Sequence, residues 1–219
     1  MVVDLRCMTE QHATKPVYGC SLEEHLQSSG RKIALVIEEC IHILYPSGLE
    51  EEGLFRIAAG ASILKKLKAT FDVGVQTDMT EYHSDYHVVA GALKLYIREL
   101  PEPLLTYDLY DEFIQCMNVK DRGSRLQQMW STVDKLPKPN FENVKYLIKF
   151  LAKLAEKSEI NKMTPSNISI VFGPNLLRPR NSDPGSDVVS SAIQNHVVET
   201  LILHHDYFFP GGKFLFLIP

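Results

Sequence analysis

Three groups of residues have the types and spacing to place charge or hydrogen-bonding amides where a partner molecule can meet them. Arg56 stands in an apolar run closed by glycine at both ends, Glu51-Glu-Gly-Leu-Phe-Arg-Ile-Ala-Ala-Gly60. Glycine admits the tight backbone turns such a loop needs, and Leu54, Phe55 and Ile57 are apolar enough to pin it onto a core while the arginine projects. A loop held this way presents one guanidinium in a defined place. Alone, the stretch is weak evidence, because an arginine so placed is more often an exposed ion pair with Glu51 or Glu52 that contributes little. Lys94 and Arg98 form the second group. At about 100° per residue, Val89, Leu93, Tyr96, Ile97 and Leu100 make one helical stripe, and Gly91, Lys94 and Arg98 lie nearly opposite. Two cations spaced i, i+4 cost a few tenths of a kcal/mol in an isolated helix, so an acidic or polar group is expected to meet them; a solvated face near Glu99 is the plainer alternative. The third group lies between Asn161 and Leu177. Asn167 sits on a helix beside Ile168, and Asn175 follows a Gly-Pro pair read as a turn after the helix end; such amides fix a loop or simply occupy the turn.

The usual constellations for catalysis are missing. The sequence has no GxxxxGK[ST] to cradle phosphate, no HExxH to hold zinc and no GxSxG to raise a serine nucleophile. His83 and His87 face one way only if both are helical, and the helix is expected to begin near His87, which argues against a metal pair. His204 and His205 are adjacent and point to different faces. The chain is expected to run no chemistry of its own and to bind no nucleotide, metal or cofactor by itself.

The elements that must position these groups are helical. Ser21 and Glu24 form a capping box, so a short helix is expected from Leu22. Ile33, Val36, Ile37, Cys40, Ile41 and Leu44 repeat at three and four residues on one face until Pro46 and Gly48. Ser62 is expected to cap a segment over 63–71 with Ile63, Leu64, Leu67 and Phe71 inward and Lys65, Lys66 and Lys68 on a solvated face. Residues 72–85 are polar and turn-rich, and the helix over 87–100 stops at Pro101-Glu-Pro103. Further helices are expected over 107–117, 124–136, 141–157 after an Asn140 cap, 164–172 with Thr164 capping and Pro165 in the first turn, and 188–208. Strand alternation never lasts. The fold class is therefore all-α, a single-domain bundle of about eight to nine helices on one core.

Composition narrows the partners. The 219 residues carry a net charge of -4, which argues against general attraction to nucleic acid or an anionic membrane. Cys7, Cys20, Cys40 and Cys116 show no CxxC spacing and lack the density of a disulfide scaffold, so reduced thiols in a cytoplasmic protein are expected. No apolar run reaches the roughly 18 residues of a membrane span. Residues 1–16 read as an N-terminal tail and 210–219, with the apolar Lys213-Phe-Leu-Phe-Leu-Ile-Pro219, as a C-terminal one.

Taken together, three blocks resemble one family. Gly48-Leu-Glu-Glu-Glu-Gly-Leu-Phe-Arg-Ile-Ala-Ala-Gly60, Val89-Ala-Gly-Ala-Leu-Lys-Leu-Tyr-Ile-Arg-Glu-Leu-Pro-Glu-Pro-Leu104 and Met163-Thr-Pro-Ser-Asn-Ile-Ser-Ile-Val-Phe-Gly-Pro-Asn-Leu-Leu177 are similar, in order and spacing, to the three sequence boxes of RhoGAP domains. With the helix pattern the resemblance covers 17–209. Ser21-Leu-Glu-Glu-His25, Gly60-Ala-Ser-Ile-Leu-Lys-Lys-Leu-Lys68 and Asn161-Lys-Met-Thr-Pro-Ser-Asn167 look like the nadrin-like, BAR-domain-containing group, although this chain carries no BAR domain and has Arg178 where that group leads one to expect tryptophan. The resemblance implies a monomeric domain that binds a GTP-loaded Rho-family GTPase of Rho, Rac or Cdc type, with a leaning to Rac or Cdc. Arg56 would be the arginine finger that accelerates GTP hydrolysis in trans and so terminates signalling. Lys94 and Arg98 would bind the GTPase and support the finger, and Asn175 and Asn167 would orient the loop or touch the partner. GTP and magnesium would belong to the partner, and other parts of a longer protein would recruit the domain to membranes. The alternative is a catalytically silent GTPase-binding module on the same fold.

Overall fold

A computed structural model of the chain describes residues 16–73, 82, 85–181 and 187–211, side chains of 187–189 excepted. The expected tails lie outside these residues except for Pro16, Pro210 and Gly211, and so does His83. Among the described residues the chain is helical throughout, with no strand. The helices are α1 (Leu22–Ser29), α2 (Leu35–Ser47), α3 (Ala61–Asp72), α4 (Tyr86–Glu99), α5 (Tyr110–Met117), α6 (Arg122–Asp134), α7 (Lys138–Ala155), α8 (Ser158–Asn161), α9 (Pro165–Leu176), α10 (Asp187–Leu203) and α11 (His205–Phe208).

Local sequence chemistry starts several of them. The Ser21 hydroxyl accepts from the Glu24 amide at 3.2 Å while the Glu24 carboxylate accepts from the Ser21 amide at 3.3 Å, the reciprocal capping box that opens α1. Thr164 accepts from the Asn167 amide at 3.2 Å, and Pro165 takes the first position of α9, where its missing N–H costs nothing. Apolar spacing then decides the packing. Ile37, Ile41 and Leu44 of α2, Leu93, Tyr96 and Ile97 of α4, Leu147, Phe150 and Leu151 of α7, Phe172 of α9 and Val197 and Leu201 of α10 are all completely buried. α2 packs along α4, α9 along α10, and α7 touches α2, α9 and α10, so one core runs through the bundle.

Several boundaries differ from the pattern, each for a physical reason. Gly60, not Ser62, precedes the first turn of α3, which has no side-chain cap, and Ile63 is 43% exposed because α3 buries only Leu67 and Phe71. Asn140 lies inside α7, where its amide donates to the Leu104 carbonyl at 3.0 Å; the helix begins earlier, with Pro139 in its first turn. Pro46 falls in the last turn of α2, and Gly48 closes that helix with its amide on the Leu44 carbonyl at 2.8 Å. The stretch over 188–208 is two helices, broken at His204. α9 continues through Gly173-Pro174 to Leu176, so Asn175 sits in its last turn rather than in a loop after it. Pro174 has no N–H to offer the Ile170 carbonyl, and Ile170 as a residue is 59% exposed, on the side of α9 that water can reach.

Candidate functional site

The turn that carries Arg56 is held in a strained shape by its own buried residues. Gly53 has φ 69°, which suits glycine, but Phe55 has φ 70°, a left-handed conformation rare for a bulky side chain. Such strain costs about 1–3 kcal/mol and persists only where the surroundings over-determine it. Here they do. Leu54 and Phe55 are buried, and the Phe55 ring meets Phe172 edge-on at 4.9 Å between centroids and Phe150 at 6.2 Å. The Gly53 carbonyl accepts from the Arg56 amide at 2.8 Å and the Ile57 amide at 2.9 Å, closing the turn. With its two apolar neighbours turned inward, Arg56 is left exposed at the apex. Ile57 does not pin the loop as its type suggests; it is 47% exposed and lies over Gly53, where an added Cβ would come within 2.9 Å of its Cδ1.

The plain ion-pair reading of Arg56 does not hold with its nearest acids. Glu51 pairs with His87 Nε2 at 3.1 Å, and among the described residues no carboxylate, Glu52 included, pairs with Arg56. The Arg56 guanidinium instead lies against Gly53, whose added Cβ would meet Nη2 at 3.4 Å.

Lys94 reaches this turn directly. Its Nζ donates to the Phe55 carbonyl at 3.0 Å, so α4 holds the peptide that immediately precedes Arg56. Burial first, and the Arg98 guanidinium second, hold the Lys94 ammonium below the ordinary lysine pKa. Arg98 is exposed one turn further on, and Glu99 pairs with Lys68 at 2.6 Å. Phe55, Ile57, Ala59, Leu64, Lys94 and Arg98 line a cleft of about 180 Å³ beside the loop. Arg56, Lys94 and Arg98 thus border one region of the surface, with two exposed guanidinium groups and one half-buried ammonium.

The asparagines divide. Asn167 donates to the Lys162 carbonyl at 3.0 Å and Asn175 to the Val171 carbonyl of its own helix at 2.9 Å. Among the described residues neither side chain bonds to the Arg56 loop, so the structure does not give Asn175 a direct part in orienting it. Arg178 donates to the carbonyls of Leu100 and Asn175 and lies over the Tyr107 ring at 5.9 Å, tying the end of α4 to the end of α9.

The residue that does reach the loop from this side is Asn161, which pattern alone does not single out. It is fully buried, and its main-chain carbonyl accepts from the Gly53 amide at 2.8 Å. In sequence it is one polar residue in a polar stretch, and only the fold shows that it is enclosed. No cluster of three or more His, Cys, Asp or Glu side chains suited to a metal occurs among the described residues.

Comparisons with known proteins bear on the family and the fold. The family model described as RhoGAP domain matches residues 34–181. Rho GTPase-activating protein 17 of Mus musculus is 53% identical over 211 residues, covering 95% of this chain and 25% of that protein. Rho GTPase-activating protein 44 of Homo sapiens is 50% identical over 209 residues, covering 94% of this chain and 25% of that protein. Bargin of Homo sapiens is 50% identical over 209 residues, 93% of this chain and 31% of that protein. The chain therefore spans less than a third of the length of these relatives. The crystal structure of human Rho GTPase activating protein 15 superimposes with a TM-score of 0.85 at 28% identity, over 95% of this chain and all of that one. The BH domain from Graf, the GTPase regulator associated with focal adhesion kinase, gives 0.72 at 33% identity, over 80% and 93%.

Proposed function

We propose that this chain, which belongs to the RhoGAP domain family, binds a GTP-loaded Rho-family GTPase and places Arg56 against the phosphoryl group being transferred, accelerating hydrolysis in trans. A GTPase of this kind brings its own nucleotide and magnesium, and its slow step is limited by charge that develops on the phosphoryl oxygens. A guanidinium supplied from outside stabilises that charge where water is excluded. The chain itself then needs no cofactor. The observation that carries the reading is the exposure of Arg56, free of any described carboxylate, on a strained turn whose peptide Lys94 holds.

In this reading Lys94 supports the finger loop from α4, and Arg98 faces the switch regions of the partner. Asn175 and Asn167, which bond within their own segment, serve the partner surface rather than the loop. The leaning towards Rac- or Cdc-type partners follows from the likeness to the group quoted above, and discrimination among such close relatives rests on contacts at the rim. No described helix is long and apolar enough to cross a membrane. We place the domain in the cytoplasm, recruited to membrane sites by other parts of a longer protein.

Phosphate release from GTP-loaded Rho-, Rac- and Cdc-type GTPases, with wild type and Arg56→Ala, tests the reading. Stimulation by wild type of at least one GTPase, lost in Arg56→Ala, is the expected result. Equal stimulation by both proteins sinks the finger assignment, and tight binding with no stimulation anywhere assigns the domain to silent GTPase binding.

A further inference from the structure

Asn161 spends every part of its carboxamide on main chain. Its Nδ2 donates to the Leu49 carbonyl at 2.7 Å and the Leu154 carbonyl at 2.8 Å, its Oδ1 accepts from the Met163 amide at 2.7 Å, and its own carbonyl accepts from Gly53 at 2.8 Å. These bonds join the end of α7 and the approach to α9 to Leu49 and Gly53, the two points between which the chain enters the Arg56 turn. Gly53 passes the constraint on, because its carbonyl holds the Arg56 and Ile57 amides. The Arg56 amide is thus two hydrogen bonds from Asn161, and Lys94 holds the same turn separately, at the Phe55 carbonyl.

We propose that Asn161 is a positioning residue for Arg56, its carboxamide fixing the base of the loop from which the guanidinium enters the partner's active site. This rests on the finger reading of Arg56. Displacements of about 1 Å remote from the chemistry can cost on the order of a hundredfold in rate, so a base free to shift is felt at the phosphate.

A purely structural role has a built-in control. Asn143 is also fully buried, and its carboxamide likewise meets three main-chain groups, the Ala34 amide at 2.9 Å and the Lys32 and Pro139 carbonyls at 3.1 and 2.8 Å, none of them in the Arg56 loop. Truncating either asparagine strands buried polar groups of similar kind, so the two should lose similar stability.

The test is single-turnover hydrolysis by a responsive GTPase, with maximal stimulated rate and half-saturating concentration measured separately for wild type, Asn161→Ala, Asn143→Ala, Arg56→Ala and the Arg56→Ala/Asn161→Ala double variant. Amide hydrogen exchange at Gly53 and Arg56 is followed in the free domain. Asn161→Ala should lower the maximal rate about ten- to a hundredfold, leave half-saturation within about threefold and speed exchange at both amides. Asn143→Ala should keep the maximal rate within about twofold at a comparable loss of Tm, and the double variant should be no slower than Arg56→Ala, since one effect passes through the other. Asn161→Ser, which keeps a donor, replaces Asn161→Ala if the alanine variant does not fold. An unchanged rate in the Asn161 variant, an equal loss in Asn143→Ala or a further loss in the double variant overturns the proposal. Wild type that stimulates no GTPase overturns the finger reading instead, and unchanged exchange at Gly53 overturns the tether independently of any GTPase.

Discussion

At the scale of single residues, the planar guanidinium of Arg56 can do what another cation cannot. Arg56→Lys keeps the charge at the apex but loses the fork that spans two oxygens, so it should recover little of the stimulated rate. An external arginine of this type contributes roughly 10³ to 10⁵ in rate, about 4–7 kcal/mol of barrier, and Arg56→Lys should stay within about tenfold of Arg56→Ala. Lys94 makes a prediction about pH. Its ammonium must donate to the Phe55 carbonyl, and burial followed by the Arg98 charge lowers its pKa. Stimulation, normalised to the intrinsic rate of the GTPase, should therefore fall as pH rises, at lower pH than an ordinary lysine would give. Arg98→Gln removes one of the lowering influences and should move that alkaline limb upward; a limb that does not move separates Lys94 protonation from loop support. Lys94 and Arg98 stood out in the sequence as cations opposite an apolar helical stripe, and Arg56 as one charge in an apolar run closed by glycines. Asn161 did not, because burial of a polar residue depends on what folds over it.

At the scale of elements, the tightest constraint is the crossing of α9 and α10. A Cβ added at Gly173 would stand 2.3 Å from Asn195 Oδ1 and 3.0 Å from the Asn195 backbone, so the helices would have to separate. Gly173→Ala should cost about 1–3 kcal/mol or more by overpacking, seen as a lowered Tm in thermal or chemical unfolding. An unchanged Tm would mean that α9 and α10 are not packed this closely. Gly173-Pro174 reads in sequence as a turn, whereas here it lies within α9: the glycine is required by a neighbouring helix that local pattern cannot reveal. His25 provides a second test. Its Nδ1 lies 2.7 Å from the Tyr96 hydroxyl, its buried Nε2 has no hydrogen-bond partner among the described residues, and burial, with the nearby Arg31 charge, lowers its pKa from 6.5. The folded state therefore resists protonation more than the unfolded one. As pH falls through about 6.5 the unfolded chain binds the proton first, and stability should decline until the lowered folded pKa is passed. His25→Gln should flatten that part of the stability–pH profile relative to wild type; identical slopes would remove His25 as the cause.

For the molecule as a whole, the helical class and single core were readable from spacing at three and four residues and from the absence of sustained alternation. The ends of helices were less so, because Asn140 and Ser62 look like caps yet lie inside helices, one bonded to a distant carbonyl and the other left unused. The bundle brings three sequence-distant blocks together, α4 with Lys94 and Arg98 against the Arg56 turn at the surface, and α9 behind that turn in the core, where the buried Phe172 ring meets Phe55. With a net charge of -4 on the full sequence, the cations at this surface are a local feature suited to an acidic or phosphate-bearing partner surface. As proposed, Arg56 acts on the transition state of another protein's reaction rather than merely binding that protein. The most direct measurement is single-turnover GTP hydrolysis by a responsive Rho-family GTPase at saturating domain, alongside the affinity for its GTP-bound form, for wild type and Arg56→Ala. A fall in maximal rate of roughly 10³ or more with affinity changed by less than about tenfold is the predicted result; a rate that survives the substitution, or one that falls only in step with affinity, contradicts it.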